Sequence, residues 1–215
     1  MLEILNELRG AYFLIKDEIE DRLREFQFKW HSGSDEEIFT ELVFCLLAPQ
    51  SKAKSCWFAV QNLINSDLIF RGSASEISEE LNIVRFRNNK ARYIVEAREF
   101  FTKDEEISIK LILTQQKNVS SKREWLVKNI KGIGYKEASH FLRNIGFGKQ
   151  ISILDRYILK NLKLYRVIGD IPKILSRKKY FEIEKKMIDF SKEIEIPMAH
   201  LDLLFWYKET GEIFK

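Results

Sequence analysis

Cysteine, glycine and proline are all scarce in these 215 residues, and each shortage closes off a class of protein. Two cysteines, Cys45 and Cys56, exclude a disulfide framework, a four-cysteine iron–sulfur cluster and a self-contained zinc ribbon. Nine glycines, three prolines and no sustained Val/Thr alternation leave little room for a sheet. No uncharged apolar run approaches the ~18 residues of a membrane span. The opening MLEILNELRG has neither a basic flank leading into an apolar stretch nor a small-residue cleavage site, so no signal peptide is read. A large excess of one charge is missing too. Thirty-six Lys plus Arg against 32 Asp plus Glu leaves 36 − 32 = +4, so a nucleic-acid site has to come from where the cations stand. What remains is a reduced, cytoplasmic, soluble chain. At 45 % hydrophobic and 32 % charged it suits one compact unit, or two small lobes sharing a core.

Helical periodicity runs almost throughout, so the fold class expected is all-α. Leu2, Leu5, Leu8, Tyr12, Ile15 and Ile19 space a first helix over 2–28, which Gly10 could break. Ser34 followed three residues on by Glu37 is a capping box opening a helix through Ala48, which Pro49 stops. Residues 52–65, 75–81 and 89–102 read as further helices. Ser121 with Glu124 is a second capping box, ahead of Trp125, Leu126 and Ile130. Another helix follows Gly132 and Gly134 through Ala138, Phe141, Leu142 and Ile145. Asp155 opens 156–163, Ser176 opens 177–194, and Pro197 starts 198–208. No repeat or flexible linker separates these pieces, so any two lobes must pack closely.

The stretch Leu126-Val-Lys-Asn-Ile130-Lys-Gly132-Ile133-Gly134-Tyr-Lys136-Glu-Ala138 joins two helices across Gly-Ile-Gly. Glycines there permit positive φ and expose backbone N–H groups beside a helix N-terminus, an arrangement suited to a phosphate. Lys128 and Lys131 add positive charge. Contacts of this kind position a protein on DNA without reading sequence. An ordinary αα-corner would use a lone Gly-x-Gly in the same way, but the full spacing is that of a helix-hairpin-helix. Lys136 projects away from the packing face of Ala138, Phe141, Leu142 and Ile145, together with His140 and Arg143. By itself such a lysine is merely solvated. Asp155, nineteen residues on in Ile-Leu-Asp-Arg, is a helix N-cap whose carboxylate is held by backbone donors. A lysine and a fixed carboxylate facing one cleft make a nucleophile with an electrostatic partner. Attack needs the free amine, which desolvation and neighbouring cations such as Lys131 and Arg143 favour.

The hairpin, Lys136 and Asp155 together resemble the helix-hairpin-helix–GPD superfamily of base-excision DNA glycosylases. The loop before the aspartate, Ser152-Ile153-Leu154-Asp155, departs from that superfamily's usual Gly/Pro-Val-Asp. This departure, the absent cluster cysteines, the short chain and the tail His200-Leu-Asp202-Leu-Leu-Phe-Trp206 to Lys215 are similar to the compact archaeal-type 8-oxoguanine DNA glycosylase/AP lyases. The likeness extends from Leu42 to the last residue. It implies a two-lobed all-helical fold without an iron–sulfur cluster. One lobe, 1–33 with 147–215, comes from both chain ends, and a six-helix lobe, 34–146, ends in the hairpin.

The same resemblance implies the chemistry. The damaged nucleotide is flipped into the cleft, Lys136 attacks the sugar C1′, Asp155 stabilises developing positive charge, and β-elimination from the Schiff base nicks the strand. Neither a metal nor a cofactor is required. Trp206 and Lys215 are expected around the extruded base, with Asp202 and His200 orienting groups in that pocket. Gln50, in Ala48-Pro49-Gln50-Ser51, is expected in the hole left by the base. Phe86, among Arg85, Arg87 and Lys90, is expected as a wedge between base steps. With Lys128, Lys131, Gly132 and Gly134 these complete the expected DNA surface. The partner is double-stranded DNA carrying oxidised guanine, met by a cytoplasmic, nucleoid-associated monomer with no role at a membrane. Two other readings stay open. An endonuclease III-like glycosylase would use the same Lys136 and Asp155 on other damaged bases, and a non-catalytic module would use the hairpin only as a phosphate clamp.

Overall fold

The computed structural model describes residues 2–215. In chain order its helices are α1 (Leu2–Ser32), α2 (Asp35–Leu47), α3 (Ala53–Asn65), α4 (Leu68–Arg71), α5 (Ala74–Glu80) and α6 (Arg87–Phe101). A two-stranded antiparallel ribbon follows, β1 (Thr102–Lys103) and β2 (Glu106–Ile107), with Thr102 opposite Ile107 and Lys103 opposite Glu106. Then come α7 (Ile109–Thr114), α8 (Val119–Asn129), α9 (Tyr135–Leu142), α10 (Arg156–Leu164), α11 (Arg177–Glu193) and α12 (Met198–Thr210). The all-α expectation holds, the small ribbon being its one exception among the described residues.

Local chemistry explains most boundaries. Ser34 and Glu37 form the expected reciprocal cap: the Glu37 N–H donates to Ser34 Oγ at 3.1 Å, and Ser34 N–H donates to Glu37 at 2.8 Å. Ser176 caps α11 as expected. Two expectations fail. Helix α1 passes through Gly10 without a break, because the glycine lies on an open face where nothing opposes it. The cap of α8 is Asn118 rather than Ser121. Its side chain accepts from Ser121 N at 2.8 Å while Ser121 Oγ accepts from Asn118 N at 3.0 Å, so the helix starts one turn earlier.

Buried apolar residues form two groups. One takes in α2, α3, α6, α8 and α9, and extends to Ile145 and Ile151. The other joins Leu8, Ile15 and Ile19 of α1 to α10, α11 and α12. A polar bridge links them. Arg123 of α8 donates to both carboxylate oxygens of Glu184 on α11, at 2.6 and 2.8 Å, with both side chains buried. Glu184 also accepts from the Ser152 N–H at 2.9 Å, and the Tyr180 hydroxyl donates to the Ser152 carbonyl at 2.6 Å. A buried pair of this kind is tolerated only when its remaining hydrogen-bonding capacity is met, as it is for Glu184. The bridge fixes the loop that leads into Asp155.

The tail makes a second link. Phe214 packs on the first group beside Phe44, with ring centroids 6.4 Å apart, carrying the last residue across to α2. No helix is long and apolar enough to cross a membrane among the described residues, and no group of three or more His, Cys, Asp or Glu is placed to hold a metal.

Candidate active site

The turn between α8 and α9 is tight for a steric reason. Gly132 has φ +86°, and a Cβ there would stand 2.5 Å from the Tyr93 ring. Gly134 differs from expectation: its φ of −98° needs no glycine, and it serves instead as the N-cap of α9, donating its N–H to Glu137 at 3.2 Å. Lys128 is exposed beside the turn. Lys131 is exposed too, and pairs with Glu96 at 3.3 Å, a surface contact that a phosphate can displace cheaply.

Lys136 stands in the first turn of α9, half-buried, its ammonium 3.2 Å from Glu137. His140 and Arg143 do not share a solvated face with it, as the helical pattern suggested; both are buried. Helices α1 and α12 cover that face. Arg143 packs over Phe26 of α1, 5.0 Å from the ring centre, and lies 3.8 Å from Asp202. Its charge therefore acts on Asp202 and His140, while Lys131 is held by Glu96. The cations expected to favour the free amine are occupied elsewhere.

Asp155 is the N-cap of α10 as expected, one carboxylate oxygen accepting from Tyr157 N at 2.8 Å and Ile158 N at 2.9 Å. Burial nevertheless lifts its pKa above the ordinary value, against the Ile158 N–H, the Lys136 ammonium and the Tyr157 N–H. Lys136 and Asp155 are thus brought within electrostatic reach, each in the first turn of a helix or at its cap. Asp202 feels the same centre: burial and the Asp155 carboxylate push it up to about 6, with Arg143 and the Ile153 N–H opposing.

Around this centre the structure gathers groups that periodicity did not reveal. Glu41 is wholly buried in α2, where it accepts from Lys29, from Lys215 and, at 3.0 Å, from Asn144. Burial presses its pKa upward, but the two ammonium groups outweigh that and hold it below the carboxylate norm. The Lys215 ammonium also lies 3.3 Å over the Trp57 ring and 5.7 Å from Phe44. Burial lowers its pKa to about 8, against the pull of Glu41. Trp206 is half-buried, edge-on to Tyr157 with centroids 5.3 Å apart. One signal was available for Glu41: a lone charge inside the apolar run Ile38-Phe-Thr-Glu41-Leu-Val-Phe.

Several buried polar atoms lack a partner among the described residues: both ring nitrogens of His140, Nε and one Nη of Arg143, one oxygen of Asp202, and Nε1 of Trp206. Each costs on the order of 1–3 kcal/mol if left unmet. Burial, with Arg143 and Lys136 beside it, keeps His140 neutral by pushing its pKa well below the ordinary value. His200, by contrast, has a partner: its Nδ1 is 2.9 Å from the Tyr12 hydroxyl, and with Arg143 it borders a cavity of about 470 Å³ between α1 and the start of α12, beside Glu20, Arg24, Gln27 and Lys149.

The DNA-facing candidates lie on two turns. Gln50 and Phe86 are both exposed at left-handed positions, with φ 56° and 59°. Phe86 is 54 % exposed, its ring 5.6 Å from the Arg85 guanidinium, and Arg87 is exposed next to it. Lys90 departs from its expected place among phosphate-facing cations. It is buried, donating to carbonyls of the Gln50 loop.

Comparison with known proteins gives consistent matches. The family model for "8-oxoguanine DNA glycosylase" matches residues 19–196. A protein of Fusobacterium nucleatum named 8-oxoguanine DNA glycosylase/AP lyase is 52 % identical over 99 % of this chain and 98 % of its own. One of that name from Methanocaldococcus jannaschii is 40 % identical over 100 % and 99 %. The crystal structure of the Methanocaldococcus jannaschii 8-oxoguanine glycosylase/lyase in complex with a 15mer DNA containing 8-oxoguanine superposes with a TM-score of 0.89, at 38 % identity, covering 100 % of both chains.

Proposed function

We infer the division of labour among this chain's residues from a fixed premise: the chain belongs to the 8-oxoguanine DNA glycosylase family. It is a bifunctional repair enzyme that excises 8-oxoguanine from DNA and then nicks the strand as an AP lyase. Lys136 is the nucleophile and Asp155 its charge partner. The observation that carries this assignment is their placement: a half-buried amine whose charge is felt by a half-buried, backbone-anchored carboxyl.

In the reaction the Lys136 amine, freed of its proton, bonds to C1′ of the extruded nucleotide. The glycosidic bond breaks, its electron pair leaves with the base, and the base takes up a proton. Asp155, facing the sugar, stabilises the positive charge that develops there. The C1′–O4′ bond then opens as the nitrogen lone pair forms the C=N bond, the ring oxygen takes up a proton, and the resulting Schiff base acidifies C2′. Loss of the C2′ proton sends an electron pair into a C2′–C3′ double bond, and the 3′ phosphate departs. Substrate binding works by displacement of unmet need: the partnerless atoms of His140, Arg143, Asp202 and Trp206 receive the base, and Lys215, held by Glu41 and Trp57, closes that pocket. His200 has no part in it. Gln50 fills the vacated position, Phe86 wedges the stack, and Arg87, Lys128, Lys131 and the Gly132–Gly134 turn hold phosphates.

The two lobes are 1–33 with 147–215 and 34–146, and the enzyme acts as a cytoplasmic monomer on nucleoid DNA. Borohydride trapping tests the chemistry. A covalent adduct should form on a duplex containing 8-oxoguanine and vanish in Lys136→Gln. Binding with neither adduct nor released base would return the chain to a non-catalytic module, and trapping only on oxidised pyrimidines would return it to an endonuclease III-like activity.

A further inference from the structure

Helix α2 ends at Leu47, and its last carbonyls have no partner within the helix. That of Leu47 accepts from the Cys56 thiol at 3.2 Å and also from an ammonium on another helix. Lys90, one turn into α6, donates to Leu47 O at 2.6 Å, to Pro49 O at 2.7 Å and to Ser51 Oγ at 3.1 Å. Three bonds use every N–H that an ammonium has. The side chain is only 4 % exposed, so no donor is left for a phosphate. Ser51 adds a second tie, its Oγ accepting from the Arg85 N–H at 3.1 Å. The backbone of Lys90 is bonded to the Phe86 carbonyl at 3.1 Å. The loop carrying Gln50 and the turn carrying Phe86 are therefore cross-linked through two side chains. Both Gln50 and Phe86 hold left-handed backbone conformations, which cost on the order of 1 kcal/mol or more apiece and persist only where the surroundings enforce them.

We propose that Lys90, with Ser51, is a positioning residue that locks the Gln50 loop to the Phe86 turn, so that both side chains enter DNA as one rigid unit during base extrusion. Lys90 touches neither DNA nor the reacting atoms. A plain helix cap would satisfy Leu47 and stop there. Here the same ammonium also grips Pro49 and Ser51, the residues on either side of Gln50, and it springs from the helix that Phe86 begins. The inference rests on the reading that Gln50 and Phe86 act on DNA.

Its signature is selectivity between steps. Extrusion from a paired duplex needs the clamp; Schiff-base formation at an abasic site already present in a single strand does not. The test compares Lys90→Met, which keeps the stem and removes the donors, and the gentler Ser51→Ala, with Gln50→Ala and Phe86→Ala. Each variant is measured for single-turnover release of 8-oxoguanine from a matched duplex, borohydride trapping on a single-stranded abasic site, fluorescence of 2-aminopurine beside the lesion, and thermal unfolding. Lys90→Met should lose at least tenfold in duplex excision and Ser51→Ala about threefold. Both should blunt the fluorescence rise and keep trapping within twofold. Equal losses on both substrates would reduce Lys90 to a structural cap and overturn the proposal, as would wild-type excision in both clamp variants. If Lys90→Met fails to fold, Ser51→Ala decides alone by the same criteria. Where Gln50→Ala and Phe86→Ala lose excision while the clamp variants do not, only the clamp fails. If those two alanine variants also excise normally, the DNA reading of the loops fails with it.

Discussion

The ammonium of Lys215, the last residue of the chain, lies 3.3 Å above the ring of Trp57, at a point where it also donates to the Glu41 carboxylate. A chain terminus is ordinarily frayed. This one is fastened by an ion pair, a cation–π contact and the packing of Phe214. Removing Lys215 leaves Glu41 still bonded to Lys29 and Asn144, so the fold has no reason to fail. Deletion of Lys215 should therefore lower single-turnover 8-oxoguanine release at least tenfold, while affinity for undamaged duplex stays within twofold. Unchanged release would take the terminal lysine out of the base pocket.

Asp202 makes stability depend on pH in an unusual direction. Its pKa is raised from 3.8 to about 6 in the folded protein, chiefly by burial. A folded value above the unfolded one means that the protonated carboxyl favours folding. The benefit is complete below pH 4 and is lost as pH rises through 6. A displacement of that size corresponds to roughly 3 kcal/mol. Asp202→Asn has no such titration. The stability of that variant relative to the parent, from urea unfolding, should rise by roughly 2 kcal/mol between pH 4 and pH 7. A difference that stays flat over that interval would show that Asp202 ionises normally.

Lys128 is exposed beside the hairpin turn with no acidic partner at ion-pair distance among the described residues, whereas Lys131 is paired with Glu96. Neutralising one phosphate contact should weaken binding evenly across sequences and reduce the slope of log affinity against log salt by about one. Lys128→Gln should show that change in titrations between low and moderate salt, with the trapping rate at saturating enzyme unaltered. A slope equal to the parent's would remove Lys128 from the interface.

Legibility in the sequence followed the range of the interaction. Caps are local, so Ser34, Asp155 and Ser176 announced their helices. Even there Asn118 outcompeted Ser121, because the two motifs overlap and only packing decides between them. The ribbon at 102–107 escaped notice since its turn uses Asp104 and Glu105 at positive φ, where glycine or asparagine is the usual sign. The N-cap position of Asp155 and the first-turn position of Lys136 were readable from order along the chain. Contacts between distant segments were not: Glu41 with Lys215, Lys90 with Leu47 and Pro49, and Arg123 with Glu184 all close over long separations, and helical periodicity carries no information about partners. Lys90 reads as a surface cation until the end of α2 is seen to need donors. His200 reads as a neighbour of Trp206 until Tyr12 of α1 is seen to claim it.

The two hairpin glycines offer a paired test, because they look alike in sequence and differ in structure. Gly132 combines φ +86° with a Tyr93 ring that would lie 2.5 Å from an added methyl carbon; Gly134 has φ −98° and would meet only the Glu137 carboxylate, at 3.1 Å. Alanine at Gly132 has to bear left-handed strain of about 1–2 kcal/mol and displace an aromatic ring from beneath the turn. Alanine at Gly134 needs only a small movement of a flexible side-chain end. Gly132→Ala should thus unfold at a temperature several degrees lower and bind duplex DNA at least fivefold more weakly, with Gly134→Ala close to the parent in both. Adding Tyr93→Ala to Gly132→Ala removes the clash but not the strain, so DNA affinity should recover in part. Equal effects of the two glycine substitutions would mean that the turn tolerates a side chain at Gly132, and that backbone approach to phosphate is not what the glycine secures.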